Sequence, residues 1–234
     1  MSETEYPVFD EEEFEFSGSL FEDVEFIDNP EPRCPCVLLV DTSHSMIGPA
    51  IQAINKGVRH FRKELLKDEL AAKRVEVAVV AFGPTRIESH FENPEDFNPP
   101  EMQADGEATL GEAIELAVQL VSDRKDTYKE AGVQYYRPWV ILISDGRPCD
   151  DWESSAELIR GLENDGALAF WTIGTSGADM DLLSLLSIRD PFRLEGLRFR
   201  DLFAWLSQSL QAVSYSRVGE EVELPSMASW VSTY

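Results

Sequence analysis

Basic residues are scarce in this chain. Twenty Lys and Arg stand against 44 Asp and Glu, a formal net charge of −24 over 234 residues. Nucleic-acid backbones and anionic bilayers are bound through clustered cations, so neither is an expected partner. Proteins remain. Cysteine is sparse and odd in number: Cys34 and Cys36 flank one proline and Cys149 stands alone. That set suits a reducing cytoplasm rather than a disulfide framework. The Cys-Pro-Cys pair has no completing pair for a four-ligand zinc site, because His44, His60 and His90 are scattered. No apolar run approaches the roughly 18 to 20 residues of a membrane span. The segment Met1-Ser2-Glu3-Thr4-Glu5 lacks the basic start and apolar stretch of a secretory signal. No repeat of fixed period is visible. The turn after the first strand has no Gly-x-Gly-x-x-Gly, which excludes dinucleotide binding.

Hydrophobic content of 43% is ordinary for a globular chain, and the length suits one large domain with a tail. Residues 1–32 contain no Lys or Arg, yet carry Phe9, Phe14, Phe16, Leu20, Phe21, Phe26 and Ile27 among their acids. This reads as an acidic, aromatic-containing arm, disordered or ordered by a partner. Pro30, Pro32 and Pro35 separate it from a folded domain over 33–234. There, strand and helix signals alternate. Strands are predicted at 36–40, 75–82, 139–143, 167–173 and 192–194, with 85–91 as an antiparallel edge neighbour of the second. Helices are predicted at 50–70, 110–121, 152–164, 180–186 and 199–213, with 123–134 as a polar connection. Such alternation means an α/β, doubly wound, mainly parallel sheet covered on both faces.

The chemistry concentrates at two strand ends. Asp41-Thr42-Ser43-His44-Ser45-Met46 follows the apolar run Cys36-Val37-Leu38-Leu39-Val40 directly. Ligands of open α/β sheets bind at the carboxyl ends of the strands. One carboxylate and two hydroxyls there form a hard-oxygen half-site for Mg²⁺. Ser144-Asp145-Gly146, after the run Trp139-Val140-Ile141-Leu142-Ile143, can supply the opposing carboxylate. The pairing is that of a metal-ion-dependent adhesion site, and the stretch resembles the von Willebrand factor A (vWA) domain family.

Further stretches resemble the bacterial TerY/YegL-like, tellurite-resistance-associated branch of that family. They are Ser45-Met46-Ile47-Gly48, Asp123-Arg124-Lys125-Asp126-Thr127-Tyr128-Lys129, Tyr135-Tyr136-Arg137-Pro138-Trp139, Ser144-Asp145-Gly146-Arg147-Pro148, Gly177-Ala178-Asp179-Met180 and the run from Leu194 to Ser207. The resemblance implies a six-stranded sheet in the order 3-2-1-4-5-6 with one antiparallel edge strand. It also implies a non-enzymatic protein-binding domain with a metal held by Asp41, Ser43, Ser45, Asp145 and a third-loop Thr. That Thr usually lies two residues before a Leu-Gly pair. Here Ala108 holds the position before Leu110-Gly111 and Thr109 comes one step later. Either a shifted loop lets Thr109 reach the ion, or the shell is a ligand short. His44 stands where the branch has Gly.

The resemblance further implies Mg²⁺ as the ion, with Mn²⁺ or Ca²⁺ able to substitute, and a partner that presents Asp or Glu to it. PP2C-type phosphatases and protein kinases accompany the branch, in stress-response and phage-defence settings. Two rivals are weighed. A haloacid-dehalogenase phosphatase needs a second Asp where Ser43 stands, and Ser is a poor proton shuttle. A metal-free scaffold would keep the fold and act through the acidic arm, by partner docking or autoinhibition. Trp139, Trp171 and Trp205 are expected in or near the core, and Asp150 and Asp151 as caps of the helix near Trp152.

Overall fold

The computed structural model describes residues 26, 29–227 and 231–233. The chain divides into two compact units, Met1–Pro30 and Glu31–Tyr234. Most of the acidic arm, and with it the expectation of disorder there, lies outside the described residues. The second unit carries the fold.

Its strands are β1 (Cys34–Asp41), β2 (Val75–Phe82), β3 (Arg86–Glu92), β4 (Trp139–Ser144), β5 (Ala169–Gly174), β6 (Phe192–Leu194) and β7 (Val231–Thr233). Its helices are α1 (Pro49–Leu65), α2 (Glu69–Arg74), α3 (Leu110–Glu130), α4 (Glu153–Asn164), α5 (Met180–Ser184) and α6 (Phe199–Tyr215). The sheet order is β3-β2-β1-β4-β5-β6-β7. The expected order 3-2-1-4-5-6 is present, with β3 antiparallel at one edge. A short strand that the sequence pattern does not announce, β7, pairs antiparallel with β6 at the other edge. No helix among the described residues is long and apolar enough to cross a membrane.

β1 is central and every residue of it is buried. A continuous aliphatic run suits that position, because a parallel strand covered by helices meets solvent on neither face. Successive side chains alternate between two cores. Cys34, Cys36, Leu38 and Val40 join α1 and α6, while Val37 and Leu39 join α3 and α4. The parallel registers pair Val40 with Ala81 of β2 and with Ile143 of β4. They bring Asp41 level with the end of β4, and this alignment positions the site.

Two helix boundaries differ from the sequence reading. The predicted helix over 50–70 is broken at Leu65, because Asp68 caps a separate turn by accepting from the Leu70 and Ala71 amides at 3.0 and 2.8 Å. Residues 123–130, read as a polar connection, continue α3 instead. A buried carboxylate explains this. Glu76 has no exposure, and Arg33 Nε, Arg124 Nε and the Tyr128 hydroxyl all converge on it, the two arginines at 2.9 and 2.8 Å. The extra turns of α3 carry Arg124 and Tyr128 to that charge. Burial, followed by the Glu76 charge, pushes the Tyr128 hydroxyl well above its ordinary pKa, so it stays a proton donor.

Glu76→Gln should cost about 3 to 5 kcal/mol in chemical denaturation, because it leaves buried guanidinium groups without their counter-charge. At the α1–α6 contact, Gly57 is packed so tightly against the Phe203 ring that an added Cβ would overlap it. Phe203 is fully buried and rests on Phe61, ring centroids 5.9 Å apart, so it has little room to yield. Gly57→Ala should therefore lower stability by about 1 to 3 kcal/mol despite its better helix propensity. A raised melting temperature would show that α6 can shift.

Candidate metal centre at the strand ends

Three loops meet beyond the carboxyl ends of β1, β2 and β4. The loop after β1 opens with the Thr42 amide bonded to Phe82 O at 3.0 Å, which extends the sheet by one rung. Thr42 O then accepts from Asp105 N at 2.7 Å, and His44 N donates to Gly106 O at 3.0 Å. Cys149 N donates to Ala108 O at 2.9 Å, tying the loop after β4 to the same segment. Gly83, at the end of β2, permits the closure. Its φ is +144°, and a Cβ there would lie 2.6 Å from the Thr42–Ser43 peptide.

Asp41 is fully buried at the centre. Its Oδ1 accepts from the Ser43 amide at 2.9 Å and its Oδ2 from the Ser144 hydroxyl at 2.6 Å. Ser144 Oγ also accepts from the Gly146 amide at 3.0 Å, so one hydroxyl orients both the Asp41 carboxylate and the turn after β4. The Ser43 and Ser45 hydroxyls lie 2.9 Å apart. Asp145 is buried, and its Oδ1 has no hydrogen-bond partner. Its Oδ2 lies 3.9 Å from Arg147 Nε, a side chain 69% exposed. Burial raises the Asp41 pKa above 3.8. The hydrogen bonds from Ser144 and Ser43 oppose that rise, and the Asp145 charge adds to it.

Of the five residues singled out in the sequence, Asp41, Ser43 and Ser45 form one hydrogen-bonded group, and Asp145 acts on Asp41 through its charge. Thr109 is occupied elsewhere. Its hydroxyl is 2.7 Å from the Thr85 hydroxyl, and no hydrogen bond joins it to the Asp41 group among the described residues. The donor types suit a hard divalent cation: two carboxylates, hydroxyl oxygens, and one buried carboxylate oxygen without a partner. Among the described residues, no three His, Cys, Asp or Glu side chains gather as a metal-binding group.

His44 lies in a 3-10 turn, His44–Met46, and no described non-glycine residue has positive φ, so the glycine of the resembled branch is not required there. Its ring is largely exposed, with Nε2 3.5 Å from Asp105 Oδ1. Burial, followed by the Glu76 charge, raises the Cys34 thiol to about 12, and Cys36 is likewise pushed up. Both are fully buried in the core and stay protonated there. Asp150 does not cap the helix near Trp152. Its Oδ2 accepts from Glu112 N at 3.0 Å, at the start of α3, and α4 has no side-chain cap. Sequence reasoning passed over Ser144 and Thr85. Ser144 had a visible signal as the hydroxyl closing a buried strand beside an Asp, whereas Thr85 had none.

No protein-family model matches this chain, and no curated protein matches it significantly. Solved structures do. The chain is similar to the vWF domain of the type V pilus tip protein Mfa5 from Porphyromonas gingivalis. That match has a TM-score of 0.60 and 12% identity, and covers 82% of this chain and 99% of that domain. The pilus adhesin SpaC from Lactobacillus rhamnosus GG matches with a TM-score of 0.59 and 12% identity, over 78% of this chain and 30% of its own. Proximal thread matrix protein 1 from the mussel byssus matches at 0.51 and 14%, over 77% and 48%. The chain thus spans less than half of these two longer proteins. At such identities the likeness establishes the fold, which is that of the vWA domains.

In metal-free protein the raised Asp41 pKa works against the fold at neutral pH, because folding disfavours the charged form. Asp41→Asn should therefore melt at a higher temperature than the wild type at pH 7. The gap should close as pH falls through the folded pKa toward 3.8, where both states of the wild type bind the proton. Thermal melts across that range in chelator test the sign.

Proposed function

We propose that this chain is a vWA-type binding domain that holds a divalent cation at the ends of β1 and β4 and recruits a protein partner through it. The observation that supports this most is the buried Asp145 Oδ1 without a hydrogen-bond partner, beside a second buried carboxylate and two hydroxyls bonded to each other. A folded chain seldom leaves such an oxygen unanswered, and desolvating it without a partner costs about 1 to 3 kcal/mol or more. Mg²⁺ is the proposed ion, with Mn²⁺ or Ca²⁺ as substitutes. When bound, the cation supplies an electropositive centre with a position open to an acidic oxygen.

The chain's own groups do the remaining work. Ser43 and Ser45 present hydroxyl lone pairs, and Asp145 contributes negative charge. Asp41 holds the loop through the Ser43 amide, and Ser144 keeps Asp41 turned toward the site. With few direct carboxylates, the ion retains charge for an Asp or Glu of the partner. The role is non-enzymatic: no general base stands two residues after Asp41. On the motifs given above we place the chain in the TerY/YegL-like branch, as a cytoplasmic adaptor in a stress-response or phage-defence system beside a PP2C-type phosphatase and a kinase.

A second reading has its own observation. The Thr109 hydroxyl is engaged by Thr85, which favours a metal-free scaffold whose acidic arm docks the partner. Calorimetric titration of Mg²⁺ and Mn²⁺ into the chelator-stripped full chain decides between them. Saturable binding is expected, absent in Asp41→Asn, with about 2.7 kcal/mol of added stability at roughly 100 times the dissociation constant. No saturable heat and an unmoved melting temperature with both ions would favour the scaffold.

A further inference from the structure

The opposite end of the sheet holds a second concave region, independent of the metal reading. A cavity of about 450 Å³ opens at the amino ends of β4 and β5, bordered by their first residues, Trp139 and Ala169. That volume lies within the roughly 300 to 1,000 Å³ of small-molecule sites. Trp139 and Trp171 form an aromatic wall, ring centroids 5.4 Å apart. Arg137 and Arg189 line it as well, in a chain that has few cations, and the segment 219–224 closes one side.

The two arginines of this lining are paired unequally. Arg137 donates from Nε to Leu168 O at 2.7 Å and from Nη2 to Glu163 O at 2.8 Å, and has no carboxylate within ion-pair distance among the described residues. The carboxylate of Glu163 cannot serve it. Both of its oxygens already take donors: Phe170 N and Arg189 on one, Ser187 Oγ and Ile188 N on the other. Arg189 lies over the Trp171 ring, its guanidinium carbon 5.2 Å from the centroid, and its proton affinity is lowered by burial and then by the charge of Arg137. Two like charges are therefore held close, and Glu163 gives its carboxylate to Arg189 and only its carbonyl to Arg137.

We propose that this cavity binds a small planar organic monoanion, of the aromatic carboxylate class. Its ring lies against the tryptophans and its carboxylate neutralises Arg137. Arg137 is exposed at the cavity mouth, where its planar fork can take a carboxylate in two bonds, and an aromatic wall adds area that a free inorganic anion cannot use. Glu220 and Glu221 stand exposed at the rim and oppose a second negative charge, which sets the class at one charge rather than two.

The probes are 1-naphthoate, its uncharged analogue 1-naphthylmethanol, and naphthalene-1,4-dicarboxylate. They are titrated into the full chain by calorimetry and by quenching of tryptophan fluorescence. Saturable binding of 1-naphthoate is expected, about tenfold or more tighter than either comparator, as a charge-assisted hydrogen bond implies. Chelator should leave it unchanged, so failure of the metal reading does not touch this one. Arg137→Gln should weaken it about tenfold or more. Because Arg137 also holds two carbonyls, Val222→Trp is the second variant: it fills the cavity from the non-helical segment and should abolish binding with the melting temperature retained. Equal binding of acid and alcohol, no saturable binding at millimolar probe, or binding unmoved by Val222→Trp would each overturn the proposal.

Discussion

The arrangement depends on one constraint: β1 has a hydrogen-bonded strand on each edge and a helical layer on each face, with no solvent on any side. A strand so placed tolerates polar atoms only where the chain leaves the sheet. Asp41 is at that exit, and its carboxylate is answered from two directions, by the loop it begins and by the neighbouring strand. The same two bonds that make its burial tolerable fix the loop that carries Ser43 and Ser45. Stability of the strand end and geometry of the candidate site therefore have a common origin.

The few cations of this acidic chain are placed with similar economy. Arg33 and Arg124 converge on Glu76 beneath the sheet, and Arg74 reaches Glu31 at 2.6 Å and the Tyr136 hydroxyl at 2.9 Å. Arg137 and Arg189 sit at the Trp-lined cavity. Arginine suits each position because its planar fork satisfies several acceptors at once and keeps its charge when buried. By contrast, among the described residues only the exposed Arg147 approaches the carboxylates at the opposite strand ends, at 3.9 Å from Asp145. At the end of the sheet that holds the cavity, the buried carboxylates Glu76 and Glu163 each meet arginine of the chain. The other is left with negative charge in excess, which is the condition a cation would relieve.

That excess has a cost. Burial and the neighbouring Asp145 both disfavour ionised Asp41, and Asp145 Oδ1 goes unanswered. Local rules of polar satisfaction fail in these loops at Asp145 Oδ1, Thr42 Oγ1 and Asp150 Oδ1. Such failures concentrate where a ligand completes the structure. The position of Thr109 sharpens the question, because the hydroxyl that would add to the site is turned toward Thr85.

The strand order was legible only through the resemblance to the vWA family. The sequence alone determined the alternation of strands and helices, the antiparallel edge at β3, and the placement of Asp41 and Asp145 at strand ends. Each follows from local pattern: continuous aliphatic runs, helix-period stretches between them, and a carboxylate where each run stops. The acidic character that turns the chain away from nucleic acid is equally a property of composition. Tertiary structure decided the rest, since no local signal exists for a contact between distant residues. Continuation of α3 to Glu130 rests on Glu76, some fifty positions away, which draws in Arg124 and Tyr128. Asp150 caps α3 rather than the helix that follows it, because the loops at the strand ends close on one another. β7, the role of Ser144 and the aromatic cavity beside Arg137 arise in the same way. Pattern in the chain specifies which residues must be buried, whereas only packing specifies which buried polar group meets which.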